Sequence, residues 1–184
     1  MIEGLATHKT MDTLDVLRWT SVKTVMGVVH IAYQDSCPAF VSLDSAEVFC
    51  AWVRSRIAGP LVQESKPPAL LLAALRAAID RCEPYEGPVN LRAQTPFQSQ
   101  VLAATRTIPC GQTRTYGELA ALVGRPRAAR AVGTVLANNP LPFLIPCHRV
   151  VASGLRLGQY SDGGPAMKRR LLEHEGVDVL RLRY

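Results

Sequence analysis

The chain has no long apolar run. No stretch of about 18 or more apolar residues, the length that a membrane-crossing helix needs, occurs in its 184 residues. Residues 1–12 lack the charged-then-apolar pattern of a secretory signal peptide, and no internal repeat or low-complexity segment is present. We therefore expect no membrane association, and one or two domains with enough residues to bury a core.

Cysteine occurs in an odd number, and no cysteine pair has the spacing of a zinc site. The five are Cys37, Cys50, Cys82, Cys110 and Cys147. An odd count outside a short secreted framework indicates reduced thiols inside a cell, so we expect a cytoplasmic protein, or a nuclear one in a eukaryote. There is no Cys-x-x-Cys pair and no Cys/His cluster with zinc-ligand spacing, which predicts no metal site.

Acidic residues are scarce in the second half of the chain. Residues 97–184 hold 12 Lys and Arg against 5 Asp and Glu, a net charge of +7, whereas residues 1–96 hold 9 against 10, a net charge of −1. Positive charge confined to one half favours a polyanion partner for that half. A solvated basic surface explains the charge alone equally well.

The first half predicts a sheet with helices. Residues 20–33, rich in Val, Ile and Thr around Gly27, are typical of a strand or a hairpin. The other expected elements are a strand at 39–43, a helix from the cap Asp44–Ser45 to about residue 57, a polar loop at 63–68, a helix at 69–81 and a short strand at 89–91. We predict an N-terminal mixed α/β domain over residues 1–92.

The second half, residues 93–184, predicts a mainly helical domain, so the whole chain is of the α/β (α+β) class. The expected elements are a helix from the Thr95–Pro96 cap to about residue 107, a helix from the Thr115 cap to about residue 123, a turn at Gly124 and a helix from Pro126 to about residue 138. The last two helices suit a helix-turn-helix, although the pattern alone fits an unrelated helical pair equally well.

Cys147 stands at the end of the apolar run 143–145 and between a proline and a histidine. Pro146 stiffens the backbone before the thiol because its ring fixes φ. His148 and Arg149 place a base and a permanent positive charge beside the thiol, and the thiolate is the reactive form of cysteine. In an arbitrary Cys-His pair the cysteine is more often a buried structural residue than a nucleophile. The flanking sequence therefore has to distinguish the two.

Six segments form an ordered pattern around this cysteine. In chain order they are Thr115–Gly124, Pro126–Gly133, Asn139–Pro140, Ile145–Val150, Gly158–Gly164 and Leu171–Gly176. The set, with Pro-Cys-His-Arg at its centre, resembles the O6-alkylguanine-DNA alkyltransferase family over residues 95–177, nearly half of the chain.

The resemblance implies an SN2 displacement in which Cys147 takes an alkyl group from guanine O6. It implies that His148 removes the thiol proton through a water, that Glu175 orients the histidine, and that Tyr160 donates a hydrogen bond to the leaving base. Asn139 would brace the turn that carries the cysteine. No step removes a thioether, so the protein would act once per molecule and need no cofactor. From the neighbouring His148 and Glu175 we also expect a lowered pKa for the thiol.

The resemblance further implies binding of the second helix of the pair in the DNA minor groove. Arg130 would fill the space left by the extruded nucleotide, and Tyr116 would crowd the phosphate beside it, since chemistry on a base in duplex DNA requires extrusion. The other expected DNA contacts are Ala128, Ala129, Ala131, Gly133, Arg125, Gln98, Arg149, Ser153 and Lys168, the last of which would reach either a phosphate or the loop after Tyr160. The expected base pocket is Tyr160, Ser161, Val150 and Gly163. The partner would be double-stranded DNA with O6-alkylguanine, with O4-alkylthymine as a second candidate substrate, bound by a monomer.

This chain departs from the family pattern at three positions. Cys110 stands where relatives usually have an aromatic residue, Leu102 where they often have Trp, and Ala137 where some have a basic residue. We expect the first two to affect packing, and Ala137 to leave fewer phosphate contacts.

Two other functions stay open from the sequence. One is a cysteine hydrolase or acyltransferase that uses Cys147, His148 and Glu175, for which continued ester turnover would be diagnostic. The other is a damage sensor on the same fold that binds alkylguanine without repairing it, although such relatives lack the reactive cysteine.

Overall fold

The computed structural model describes residues 16–91, 94–154 and 156–183. The strands are β1 (Leu17–Thr24), β2 (Gly27–Gln34), β3 (Cys37–Ser42), β4 (Leu61–Gln63), β5 (Arg114–Thr115) and β6 (Val150–Val151). The helices are α1 (Ala46–Arg54), α2 (Ala69–Asp80), α3 (Pro96–Arg106), α4 (Tyr116–Leu122), α5 (Ala129–Ala137) and α6 (Gly164–His174), with 3₁₀ turns at Cys147–Arg149 and Val179–Arg181. None of the described helices is long and apolar enough to cross a membrane.

The first half contains a four-stranded sheet in the order β3-β2-β1-β4. The predicted hairpin is confirmed: β1 and β2 pair antiparallel, and Thr24 faces Gly27 across the turn. The sequence missed β4, which pairs parallel with β1, because three residues are too few to show an alternating pattern.

The predicted strand at 89–91 is wrong. This segment belongs to no strand, although Asn90 N–H donates to Pro38 O at 2.8 Å beside β3. Its apolar residues Val89 and Leu91 pack against the core without a ladder.

The helix starts follow the predicted capping residues. Ser45 caps α1 by accepting a hydrogen bond from the Val48 N–H, and Thr95 caps α3 in a reciprocal capping box with Gln98. Because the capping residue satisfies amide groups that the helix leaves free, these starts could be read from sequence.

Helices α4 and α5 form the predicted helical pair. Thr115 and Glu118 make a capping box at the start of α4. The second helix begins at Ala129 and not at Pro126, because Ala128 N–H bonds to Arg125 O (2.9 Å) in a preceding turn.

The largest hydrophobic cluster joins the two halves of the chain. It contains Val29 and Ile31 of β2 together with Leu119 of α4, Val132 of α5 and Cys147. The predicted division between residues 92 and 93 lies outside the described residues, and it stays a prediction.

Candidate active site

Cys147 begins a single 3₁₀ turn after a tightly folded apolar stretch. Phe143 in that stretch has a φ of 71°, a left-handed conformation that is uncommon for a bulky residue and concentrates at functional sites. The Cys147 N–H donates to Ile145 O at 2.7 Å, and only 5% of the residue is exposed. The cysteine is therefore held by buried neighbours.

Asn139 ties the start of this stretch to its end. Its Nδ2 donates to Ile145 O (2.9 Å) and to Cys147 Sγ (3.1 Å), and its Oδ1 accepts from the Leu141 N–H (3.1 Å). A single buried amide therefore fixes both the turn and the position of the thiol, the geometry expected of a brace.

His148 and Glu175 form a buried pair. His148 Nε2 lies 2.8 Å from Glu175 Oε1, and their side chains are 2% and 5% exposed. A carboxylate can only accept, so Nε2 carries the hydrogen and Nδ1 keeps its lone pair. This Nδ1 is buried and has no partner among the described residues, which leaves it free to accept a proton.

The two pKa shifts assign the charges of this pair. Burial lowers the pKa of His148 more than Glu175 raises it, so the ring is neutral at neutral pH. For Glu175, burial alone would raise the pKa, but hydrogen bonds from His148 and Arg149 lower it from 4.5 to about 2. The carboxylate is therefore ionised, and Arg149 supplies the balancing charge.

Arg149 faces the interior, against the prediction that it contacts DNA. Its Nε donates to Glu175 Oε2 (2.8 Å), its Nη2 to Glu175 Oε1 (2.8 Å) and its Nη1 to Ile108 O (2.6 Å). The residue is 7% exposed. The prediction failed because the ion pair with Glu175 connects residues 26 apart in sequence.

The expectation of a lowered thiol pKa is also wrong. Burial raises the pKa of Cys147 from 9.0 to about 11, and the hydrogen bond from Asn139 and the charge of Lys168 offset this only in part. Because the neighbouring imidazole is neutral, it does not stabilise a thiolate. The cysteine is therefore a thiol at neutral pH, and any reaction in which it acts as a nucleophile would require a base.

A cavity of about 160 Å³ opens beside the thiol. Its lining is Tyr116, Gly133, Leu136, Ala137, Cys147, Gln159, Tyr160 and Ser161. The Tyr160 hydroxyl is buried without a partner among the described residues, and burial raises its pKa well above 10, so it keeps its proton. The cavity thus combines a thiol with a free hydrogen-bond donor. Leu136 and Gln159 were missed, since apolar and amide side chains carry no motif signal.

Two predicted pocket residues lie outside this lining. Val150 is fully buried, and its carbonyl accepts from Lys168 Nζ at 2.6 Å. Gly163, with a φ of 91°, forms the left-handed start of α6, a conformation that glycine adopts without strain. Both shape the loop around the pocket and do not line it.

Lys168 does not reach the surface, and of its two predicted partners, a phosphate and the neighbouring loop, it contacts the loop segment. It is 0% exposed and donates to the carbonyls of Val150 (2.6 Å) and Gln159 (3.3 Å). Its Nζ also lies 5.7 Å from the Tyr116 ring centroid. Burial lowers its pKa from 10.5 to about 8. The lysine therefore holds the loop before Tyr160 from inside.

Of the remaining predicted DNA contacts, Arg125, Ala128, Ala129, Arg130, Ala131 and Gly133 lie in α5 or the turn before it, Gln98 lies in α3, and Ser153 follows β6. Arg125, Arg130, Ala131 and Ser153 are exposed, while Gln98, Ala128, Ala129 and Gly133 are half-buried. Arg125 lies over the Phe97 ring at 5.8 Å, and the Gln98 carbonyl is used in the α3 capping box. Gly133 faces the Tyr116 ring, which a Cβ there would approach to 3.9 Å.

Asp162 is a site residue whose role sequence reasoning missed. Its Oδ1 accepts from Ser42 Oγ (2.8 Å) and from the Leu43 N–H (3.0 Å). These bonds join the loop after Tyr160 to the end of β3. No local signal could reveal them, because the partners are 120 and 119 residues away.

Comparisons with known proteins identify the family of the chain. A family model described as "6-O-methylguanine DNA methyltransferase, DNA binding domain" matches residues 96–177. The O6-methylguanine methyltransferase of Mycobacterium tuberculosis is 30% identical and superposes with a TM-score of 0.69, over 92% of this chain and 96% of that one. The chain belongs to the O6-methylguanine-DNA methyltransferase family.

Other family members show how far the similarity extends. The structure of M. tuberculosis OGT in complex with DNA superposes with a TM-score of 0.71 at 29% identity, over 90% of this chain and 94% of that chain. The methylated-DNA–protein-cysteine methyltransferase of Cricetulus griseus is 51% identical over 85 residues, which are 46% of this chain and 41% of that relative. The chain thus spans less than half the length of that curated relative.

Proposed function

We propose that this protein repairs duplex DNA by transferring the alkyl group of O6-alkylguanine to Cys147, irreversibly and once per molecule. The observation that carries the proposal is a cavity lined by both Cys147 and Tyr160, with the Tyr160 hydroxyl buried and without a partner among the described residues. The homologous protein of M. tuberculosis that was crystallised with DNA supports DNA as the partner.

The proton of the thiol leaves through His148. Because Nε2–H is held by Glu175, the Nδ1 lone pair is the available base, and a water between Nδ1 and Sγ would carry the proton. Glu175 then stabilises the imidazolium that forms, as the orienting carboxylate does in a triad. This sequence suits a thiol whose pKa is about 11, since a preformed thiolate is not required.

The transfer exchanges one bond for another. The sulfur forms a bond to the alkyl carbon while the bond from that carbon to guanine O6 breaks, and the electron pair goes to the base. Tyr160 stabilises the developing negative charge on guanine by hydrogen bonding, because its hydroxyl is buried, protonated and not otherwise engaged. Asn139 keeps Sγ in place during the step.

Helix α5 provides the proposed DNA face. Its exposed Arg130 can fill the stack where a base has left, and guanidinium stacks well on bases. Tyr116 borders the cavity, at the path by which an extruded nucleotide would enter. Gly133 leaves room beside this ring. The free cysteines of the described chain support a reducing compartment, cytoplasmic or nuclear, as part of the proposal.

Intact mass spectrometry tests the function. Incubation with a duplex that contains one O6-methylguanine should add one methyl group to the protein, and peptide mapping should place it on Cys147. Cys147→Ser should bind the same duplex without gaining mass. Product in excess of one equivalent of protein, or methyl on another cysteine, contradicts the proposal, and continued turnover of an ester would indicate a hydrolase instead.

A further inference from the structure

Glu175, the partner of His148, also lies close to two cysteines, so that three side chains with metal-binding atoms meet. The Sγ atoms of Cys82 and Cys110 and a carboxylate oxygen of Glu175 all lie within 4.8 Å of one another. Cys82 follows α2 with a φ of 58°, Cys110 lies in the turn after α3, and Glu175 ends α6. Three separate elements therefore converge, although no sequence spacing links the two cysteines.

The distances suit a tetrahedral cation. Zinc binds thiolate sulfur at about 2.3 Å, which places two sulfurs on one ion about 3.8 Å apart by tetrahedral geometry. The Sγ atoms of Cys82 and Cys110 lie at most 4.8 Å apart, so rotation of the two side chains can bring them to this value. Both cysteines are half-buried, so a cation can arrive from solvent and keep a water as its fourth ligand.

From this cluster we propose a binding site for one thiophilic divalent cation, such as Zn²⁺ or Cd²⁺. Cys82 and Cys110 supply two thiolates, and Glu175 supplies the third ligand. On binding, two S–H bonds break, two sulfur–metal bonds form, and two protons pass to solvent. The two negative sulfurs balance the dication, so the buried Arg149–Glu175 ion pair gains no net charge beside it.

Glu175 has one acceptor position left for a metal. A carboxylate offers about four lone-pair sites, and three are used: Oε1 by His148 and Arg149, and Oε2 by Arg149. A cation on the remaining site of Oε2 withdraws electron density from the carboxylate. The hydrogen bond to His148 is then weaker, and the imidazolium formed during alkyl transfer is less well stabilised.

The site therefore links metal binding to the reaction of Cys147. This kinetic consequence rests on the alkyl transfer proposed above, whereas the binding site itself does not. Metal occupancy should slow the transfer by weakening the support that Glu175 gives to His148.

Cadmium titration of the full-length reduced chain tests the binding. A phosphine reductant keeps the thiols free, and the thiolate–cadmium charge-transfer absorbance reports coordination. One equivalent should bind to the wild type, to Cys37→Ser, a half-buried cysteine outside the cluster, and to Cys147→Ser. In Cys82→Ser and Cys110→Ser the affinity should fall by more than the roughly 10–100-fold that loss of an outer-sphere partner costs.

Two results overturn the site: unchanged affinity in either Cys82→Ser or Cys110→Ser, or binding lost only in Cys147→Ser. Alkyl transfer measured with and without cadmium tests the coupling. Cadmium should slow the transfer in the wild type and in Cys37→Ser, and it should not change the transfer rate of Cys82→Ser. Equal slowing by cadmium in all three proteins refutes the link to Glu175. Absence of transfer in the metal-free protein would refute the proposed function and leave the binding result standing.

Discussion

Replacement of Glu175 by glutamine should destabilise the fold and change its response to acid. The carboxylate is bonded to His148 and twice to Arg149, and its side chain is 5% exposed. Glutamine keeps the shape but removes the charge, so the Arg149 guanidinium stays buried without a counter-ion. Removal of one partner of a buried ion pair typically costs about 3–5 kcal/mol.

The pKa of Glu175 gives a second estimate of how much its charge stabilises the folded protein. It falls from 4.5 to about 2 on folding, and each pH unit is worth about 1.4 kcal/mol, so the charged form gains about 3 kcal/mol. Because the folded pKa is the lower one, this stabilisation is fully present above about pH 4.5 and is lost as the pH falls toward about 2.

Denaturant unfolding at several pH values measures this effect. At pH 7 the variant should unfold with a free energy about 3 kcal/mol below that of the wild type, and the gap should narrow steadily below about pH 4.5. Glu173→Gln, an exposed residue of the same helix, is the matched control and should show no gap. A Glu175→Gln gap below about 1 kcal/mol, or one that is independent of pH, would refute the reasoning.

Three further predictions concern the thiol and the DNA face. Since the pKa of Cys147 is about 11 against 9.0 in the open chain, iodoacetamide should alkylate it about 100-fold more slowly in the folded than in the unfolded protein; equal rates, measured by peptide mass, would show an activated thiolate. Arg130→Ala should slow repair of duplex DNA by at least about tenfold yet leave attack on free O6-methylguanine base unchanged, because only the duplex requires extrusion; Arg127→Ala, exposed just before α5, is the control, and equal losses on both substrates would remove Arg130 from the extrusion step. Finally, DNA affinity should fall linearly with salt on a log–log plot, through release of counterions from the phosphates; a flat dependence would mean that the basic half is not the DNA surface.

The sequence predicted the local features of the fold and the residues of the proposed reaction that the structure brings together. Thr95 and Thr115 marked helix starts because the capping side chain and the N–H group that it accepts from are only three residues apart in sequence. The resemblance also predicted that Glu175 orients His148, and in the structure the two side chains lie 2.8 Å apart. Helix caps could be predicted because they involve residues close together in sequence. The candidate site residues could be predicted because the family resemblance covers nearly half of the chain.

The failures of the sequence reasoning share one cause, which is burial by distant segments. Arg149 and Lys168 were predicted as DNA contacts, Lys168 with the loop as an alternative, but Arg149 is paired with Glu175 and Lys168 with the backbone carbonyl of Gln159. The pKa of Cys147 rose for the same reason, since desolvation depends on the packed environment. The convergence of Cys82 and Cys110 was equally hidden.

The edge strand β3 has a consequence for the modularity of the protein. The Val41 N–H of this strand donates to Pro140 O at 2.8 Å, and Ser42 and Leu43 donate to Asp162 in the loop after Tyr160. Two parts of the matched family segment 96–177 are therefore held in position by residues that lie outside that segment. A chimera that takes its first half from a relative would keep the motifs around Cys147. The loop after Tyr160 would stay anchored only if the new first half has a hydroxyl side chain at the position of Ser42 and a free backbone N–H, that is, any residue except proline, at the position of Leu43.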